Sequence, residues 1–121
     1  MTLLDTNILI EILKNNQQSI QQVIALKHPL AISSITAMEL IYGARNKQEA
    51  LRLEEFIAEF EVTHLNAQIS DLAYQLIIEF AKSHNLDIPD ALIAATAIHN
   101  RMPFLTYNSK DFRFLPAIDL I

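Results

Sequence analysis

Met1-Thr2-Leu3-Leu4-Asp5-Thr6-Asn7-Ile8-Leu9-Ile10-Glu11-Ile12-Leu13 is the stretch that decides the fold. Met1 to Asp5 is a short apolar run with a polar residue at its end, the pattern of a buried strand. From Asn7 to Leu13 the apolar positions Ile8, Leu9, Ile12 and Leu13 follow helical spacing. Asp5 therefore stands where strand turns into helix. The same alternation recurs down the chain. Leu30 to Ser33 reads as a second strand after a helix over Ser19 to Lys27 that Pro29 closes. A helix over Ser34 to Ala44, bounded by Gly43, is followed by an amphipathic helix over Asn46 to Phe60 carrying Leu51, Leu53, Phe56, Ile57 and Phe60. Val62 to Leu65 is the third expected strand, and a helix covers Ala67 to Ser83. Pro89 suits the first turn of a helix running to about Asn100. Phe104 to Tyr107 is the fourth expected strand, Asn108 to Phe112 a turn, and Ala117 to Ile121 a short edge strand. Short apolar strands separated by helical crossovers give an α/β fold with a mainly parallel sheet of four to five strands, covered by helices on both faces.

The 121 residues suit one domain spanning 1–121, and 51% hydrophobic against 19% charged residues is a globular composition. No stretch reaches the roughly 18 apolar residues of a membrane span, and Asp5 and Asn7 interrupt the segment a signal peptide would need, so a cytoplasmic protein without membrane contact is expected. Cysteine is absent. Thiolate zinc sites and disulfides are thereby excluded, and carboxylates are left as ligands for hard cations such as magnesium or manganese. The four histidines, His28, His64, His84 and His99, show no paired ligand spacing. The net charge of −5 opposes nonspecific binding of a polyanion, an objection that weakens if carboxylates are gathered around cations, which reverse the local sign. Arg45, Lys47 and Arg52 form a small basic group, open to reading as a contact surface or as solvated helix charge.

Ligands of an open parallel sheet bind beyond the carboxyl ends of its strands, which selects Asp5 at once. Each candidate also has a purely structural reading. Asp5 can cap the following helix. Thr36-Ala37-Met38-Glu39 matches a T-x-x-E capping box, in which Glu39 would bond back to the Thr36 amide. Asp90 suits the positive end of its helix dipole, with Asp87 competing for either role. Asp111 lies in a stretch where turn chemistry alone accounts for an aspartate.

Four segments together resemble the PIN-domain family, and most closely the VapC-type toxins of toxin-antitoxin pairs. They are Leu-Asp-Thr-Asn at 4 to 7, Ser-Ser-Ile-Thr-Ala-Met-Glu-Leu-Ile-Tyr-Gly-Ala at 33 to 44, Asp-Ala-Leu-Ile-Ala-Ala-Thr-Ala at 90 to 97, and Leu-Thr-Tyr-Asn-Ser-Lys-Asp-Phe at 105 to 112. The resemblance spans nearly the whole chain in the family's order and implies a three-layer PIN-like fold. It also implies a site of Asp5, Glu39, Asp90 and Asp111 that binds Mg2+ or Mn2+. Asp90 is preferred to Asp87, and Thr6 and Asn108 are polar supports. The implied activity is metal-dependent hydrolysis of RNA phosphodiesters, as the toxin of a type II pair with a cognate antitoxin protein and with frequent homodimerisation. The alternatives are a non-toxin nuclease of RNA processing and a non-catalytic module that binds RNA or protein. An aspartyl-phosphate enzyme is disfavoured, because Asp5-Thr6-Asn7 lacks a second aspartate two residues after the first.

Overall fold

The computed structural model describes residues 1–121. Its four strands, β1 (Thr2–Leu4), β2 (Leu30–Ser33), β3 (Glu61–Thr63) and β4 (Phe104–Leu105), lie in the order β3-β2-β1-β4 and are parallel throughout. Parallel neighbours need long crossovers, and the helices α1 (Thr6–Leu13), α2 (Gln17–Ile24), α3 (Ser34–Tyr42), α4 (Lys47–Ile57), α5 (Ala67–His84) and α6 (Ile88–His99) supply them.

Side chains alternate across a strand, so each strand feeds two cores. Leu3, Ala31 and Phe104 point into one core, with Ile69, Ala73 and Leu76 of α5 and Ala91, Ile93, Ala94, Ala95 and Ala97 of α6. Their neighbours Leu4, Ile32 and Leu105 point into the other, with Ile8 and Leu9 of α1, Val23 of α2 and Leu40 of α3. The result is three layers, helix on sheet on helix, as the sequence implied. The alanines of α6 are buried in the same core as Leu3, Ala31 and Phe104, and the helix packs mainly against α5.

Every helix opens on a side-chain cap: Asp5, Asn16, Ser33, Asn46, Asn66 and Asp87 each accept a hydrogen bond from a backbone N–H of the first turn. Three of these, Asp5, Ser33 and Asp87, bring α1, α3 and α6 to the carboxyl edge where the candidate site lies.

Four expectations change. The third strand is Glu61–Thr63 rather than Val62 to Leu65, because Ala31, Ile32 and Ser33 of β2 set its register. The fourth ends at Leu105, where pairing with β1 runs out at Leu4, so Thr106 and Tyr107 lie beyond it. The edge strand over Ala117 to Ile121 reduces to one parallel bridge between Leu120 and Phe104. The capping box is absent: Ser33 caps α3, and Thr36 lies inside the helix, fully buried.

Candidate metal and catalytic site

Asp5 directly follows β1, an interior strand, and is only 5% exposed. Its backbone N–H still donates to the Leu105 carbonyl at 2.9 Å, so the sheet fixes the base of the side chain. Both carboxylate oxygens are then engaged. Oδ1 accepts from the Thr6 N–H at 2.8 Å, and Oδ2 accepts from the Thr106 hydroxyl at 2.7 Å. The capping role that the sequence offered is therefore real, and it occupies Oδ1 while Oδ2 is held separately by Thr106.

Thr106 is buried, and its oxygen accepts in turn from Asn7 Nδ2 at 3.3 Å and from the Asn108 backbone N–H at 3.1 Å. Asn7 Oδ1 accepts from the Tyr107 N–H at 3.3 Å. This ties the start of α1 to the segment after β4. The support expected from the Asn108 side chain therefore comes from Asn7 and Thr106, while Asn108 contributes its backbone.

Glu39 is exposed, and its Oε1 accepts from the Thr6 hydroxyl at 2.8 Å. Thr6 Oγ1 also lies 2.9 Å from Thr36 Oγ1. A hydroxyl has one proton, and that of Thr6 is committed to Glu39, so Thr36 donates to Thr6. The relay Thr36 to Thr6 to Glu39 replaces the predicted capping box and joins α3 to α1. Thr36 and Thr106 were missed by sequence reasoning. Their only signal was position within the family-like segments, because a threonine near a strand end is otherwise unremarked.

Asp87 caps α6 by accepting from the Asp90 N–H at 2.9 Å, and Asp90 itself is half-buried in that first turn. Asp111 is exposed in a short 3-10 turn, Ser109–Asp111. The four carboxylates share one field. The Asp90 carboxyl is pushed up to about 7, mainly by burial and then by the charges of Asp87, Asp5, Glu39 and Asp111. Burial also raises Asp5; the bonds from Thr106 and Thr6 oppose that rise, and the charges of Glu39 and Asp111 add to it. No basic side chain compensates, since the molecule's two ion pairs, Lys14–Glu11 and Arg45–Glu49, involve none of the four.

This donor set is all carboxylate oxygen, with hydroxyls and an amide behind it, and it carries uncompensated negative charge. In kind and in charge it fits a hard divalent cation. No three of its members are drawn together as a ready-made metal shell, so the fit lies in the donors rather than in a preformed cage.

A parallel sheet carrying this acidic constellation at its carboxyl edge defines the class of protein. Residues 2–116 match the family model described as PIN domain, and the chain belongs to the PIN-domain family. Its relatives place it in the VapC group of that family. It is 33% identical over 116 residues to a Shigella flexneri protein named tRNA(fMet)-specific endonuclease VapC, covering 91% of this chain and 88% of that one. It also superposes on a chain of a toxin-antitoxin complex from Klebsiella pneumoniae with a TM-score of 0.84 and 31% identity, over 100% of this chain and 96% of that one. A chain of VapBC2 from Rickettsia felis, bound to a promoter DNA fragment, superposes with a TM-score of 0.83 and 28% identity, over 99% and 96%. No helix is long and apolar enough to cross a membrane.

Proposed function

We propose that this protein is a divalent-cation-dependent endoribonuclease, using Mg2+ or Mn2+, and the toxin of a type II toxin-antitoxin pair in the cytoplasm. The observation that carries the reading is the set of four carboxylates near enough to feel one another's charge, with no basic partner in an ion pair. The names of the VapC relatives support the activity, and the toxin-antitoxin complexes among the structural neighbours support the partner.

Asp5 and Asp90 are the first-choice direct ligands. Glu39 and Asp111 complete the set. When bound, one or two divalent cations supply the positive charge that favours in-line attack of water on a phosphodiester. Thr106 holds Asp5 Oδ2 and Thr6 holds Glu39 Oε1, so neither carboxylate is free to turn away from the site. Glu39 Oε2 is left available to take the proton of the attacking water as the bond to the leaving oxygen breaks. Asp90, whose carboxyl is pushed up to about 7, would have to be in its carboxylate form to hold a cation.

An apolar groove between α3 and α4, lined by Ala37, Met38, Ile41, Tyr42 and Ile57, supports the protein partner. Met38 is 55% and Tyr42 93% exposed there, a large apolar area to leave in water. The negative net charge suits a basic antitoxin. A second copy of the chain is a further expected partner.

The test is cleavage of a panel of structured and unstructured RNAs during a magnesium titration. Wild-type protein should cleave only with metal, and Asp5→Asn and Asp90→Asn should abolish cleavage while each retains native circular dichroism. Undiminished cleavage by either variant would remove its carboxylate from the mechanism.

A further inference from the structure

Away from the acidic edge, one place gathers charge of the opposite sign. Between α1 and α4 lies a cleft of about 620 Å3, with Ile10 and Leu13 on one wall and Lys14, Arg45, Glu49 and Arg52 around it. Three of the chain's nine lysines and arginines are here, in a protein whose net charge is −5. Arg45 pairs with Glu49 at 2.9 Å and Lys14 with Glu11 at 3.5 Å, while Arg52 has no carboxylate at ion-pair distance. Glu49 is held ionised, below the usual carboxylate range, by its bond from Arg45 and by the charges of Arg45 and Arg52. Positive charge remains in excess.

The cleft lies on a path that begins at the carboxylates. Helix α1 starts at the site, where Thr6 bonds Glu39, and ends at the cleft with Leu13 followed by Lys14. At 1.5 Å per residue the separation is roughly 12 Å, a span of a few nucleotides. Helix α3 leaves the same sheet edge, packs on α1, and is followed by Arg45.

A cluster of carboxylates attracts a phosphate only through the cations it holds, so affinity for a longer polyanion has to come from elsewhere on the surface. We propose that the Lys14–Arg45–Arg52 cleft holds backbone phosphates of the RNA strand whose scissile bond lies at Asp5 and Asp90. The inference rests on the nuclease reading. A protein segment is the competing occupant, since Ile10, Leu13 and Leu53 also line the cleft; the three cations against the single carboxylate Glu49 in its lining, a charge that the Met38–Tyr42 groove lacks, favour the polyanion.

The experiment measures binding of single-stranded RNAs of about four and about twelve nucleotides, lengths within the usual span of single-strand sites. It compares Asp90→Asn protein with the same protein carrying K14Q, R45Q and R52Q. For the longer RNA the added substitutions should weaken binding about tenfold or more. They should also flatten the plot of log affinity against log salt by about 2, as expected for three lost phosphate contacts on a single strand. The shorter RNA should lose little, and R45K with R52K should restore most of the salt slope. Unchanged affinity and slope for the longer RNA would overturn the proposal, as would equal losses for both lengths.

The same substitutions in the wild-type background separate this inference from the reading beneath it. Length-dependent loss of binding in a protein that cleaves nothing leaves the cleft standing and defeats the nuclease. Cleavage with an unchanged KM defeats the cleft and leaves the nuclease. Loss of a co-purified protein partner with RNA binding intact assigns the surface to that partner instead.

Discussion

Thr106 makes the shortest hydrogen bond within the acidic site, 2.7 Å to Asp5 Oδ2, from a position that water scarcely reaches. Thr106→Val keeps the volume and removes the donor, leaving a buried carboxylate oxygen short of a partner. That costs about 1–3 kcal/mol of stability, and outer-shell losses of this kind reduce metal affinity or activity about 10–100-fold. Thr106→Ser should restore both, and parallel thermal melts and cleavage assays of the two variants check it. Asp90 is strained in the opposite sense. Its carboxyl stands near 7 in the folded chain against an ordinary 3.8, so the folded state binds the proton more tightly than the unfolded state does. The stability linked to that proton is fully present below about pH 4 and is lost as pH rises through about 7. In chelator, wild-type protein should melt lower at about pH 8 than at about pH 5, and Asp90→Asn should flatten that difference and raise the melting temperature at the higher pH. Equal pH slopes would show that Asp90 carries no such strain. Asp5→Asn should bring no comparable gain, because both Asp5 oxygens accept hydrogen bonds that an amide only half replaces.

Helix α6 shows how an element delivers a residue. Asp87 accepts from the Asp90 N–H and so sets the first turn, while its charge adds to the field on Asp90. The two effects can be separated. Asp87→Ala removes cap and charge together, costing about 1 kcal/mol, or about 4 °C of melting temperature, and moving the Asp90 titration downward. Asp87→Asn keeps an acceptor for the cap, so it should hold the melting temperature while still lowering the Asp90 titration. Carbon-detected NMR titration of the carboxyls reads the shift. On α3 the lesson is different. A T-x-x-E motif is a cap only when its threonine precedes the helix, and here Ser33 takes the cap while Thr36 and Glu39, one turn apart, both reach Thr6 on α1.

At the scale of the whole molecule, four carboxylates share one field beyond the carboxyl edge of the sheet, and Lys14, Arg45 and Arg52 gather with Glu49 around the cleft at the far end of α1. Because the acidic charges repel one another and have no basic partner, a cation that binds them stabilises the fold itself. At a metal concentration about 100 times its dissociation constant the gain is roughly 2.7 kcal/mol. Magnesium should therefore raise the melting temperature of wild-type protein by several degrees and leave Asp5→Asn and Asp90→Asn nearly unmoved. Much of this architecture was legible in the residues. Short continuous apolar runs located the strands and helical spacing located the helices, since burial on both faces of a parallel sheet demands such runs. Asp5 was legible because a carboxylate closing such a run has nowhere else to go. The segments at 33 to 44, 90 to 97 and 105 to 112 marked Glu39, Asp90 and Asp111 through their likeness to the family. Other matters were decided only by tertiary structure. Thr36, Thr106 and Asn7 act across about 30 to about 100 residues of chain, and hydrogen bonds over such separations leave no periodic trace. The extent of β3 and β4 likewise depended on where their partners in the sheet end, a property of register rather than of local sequence.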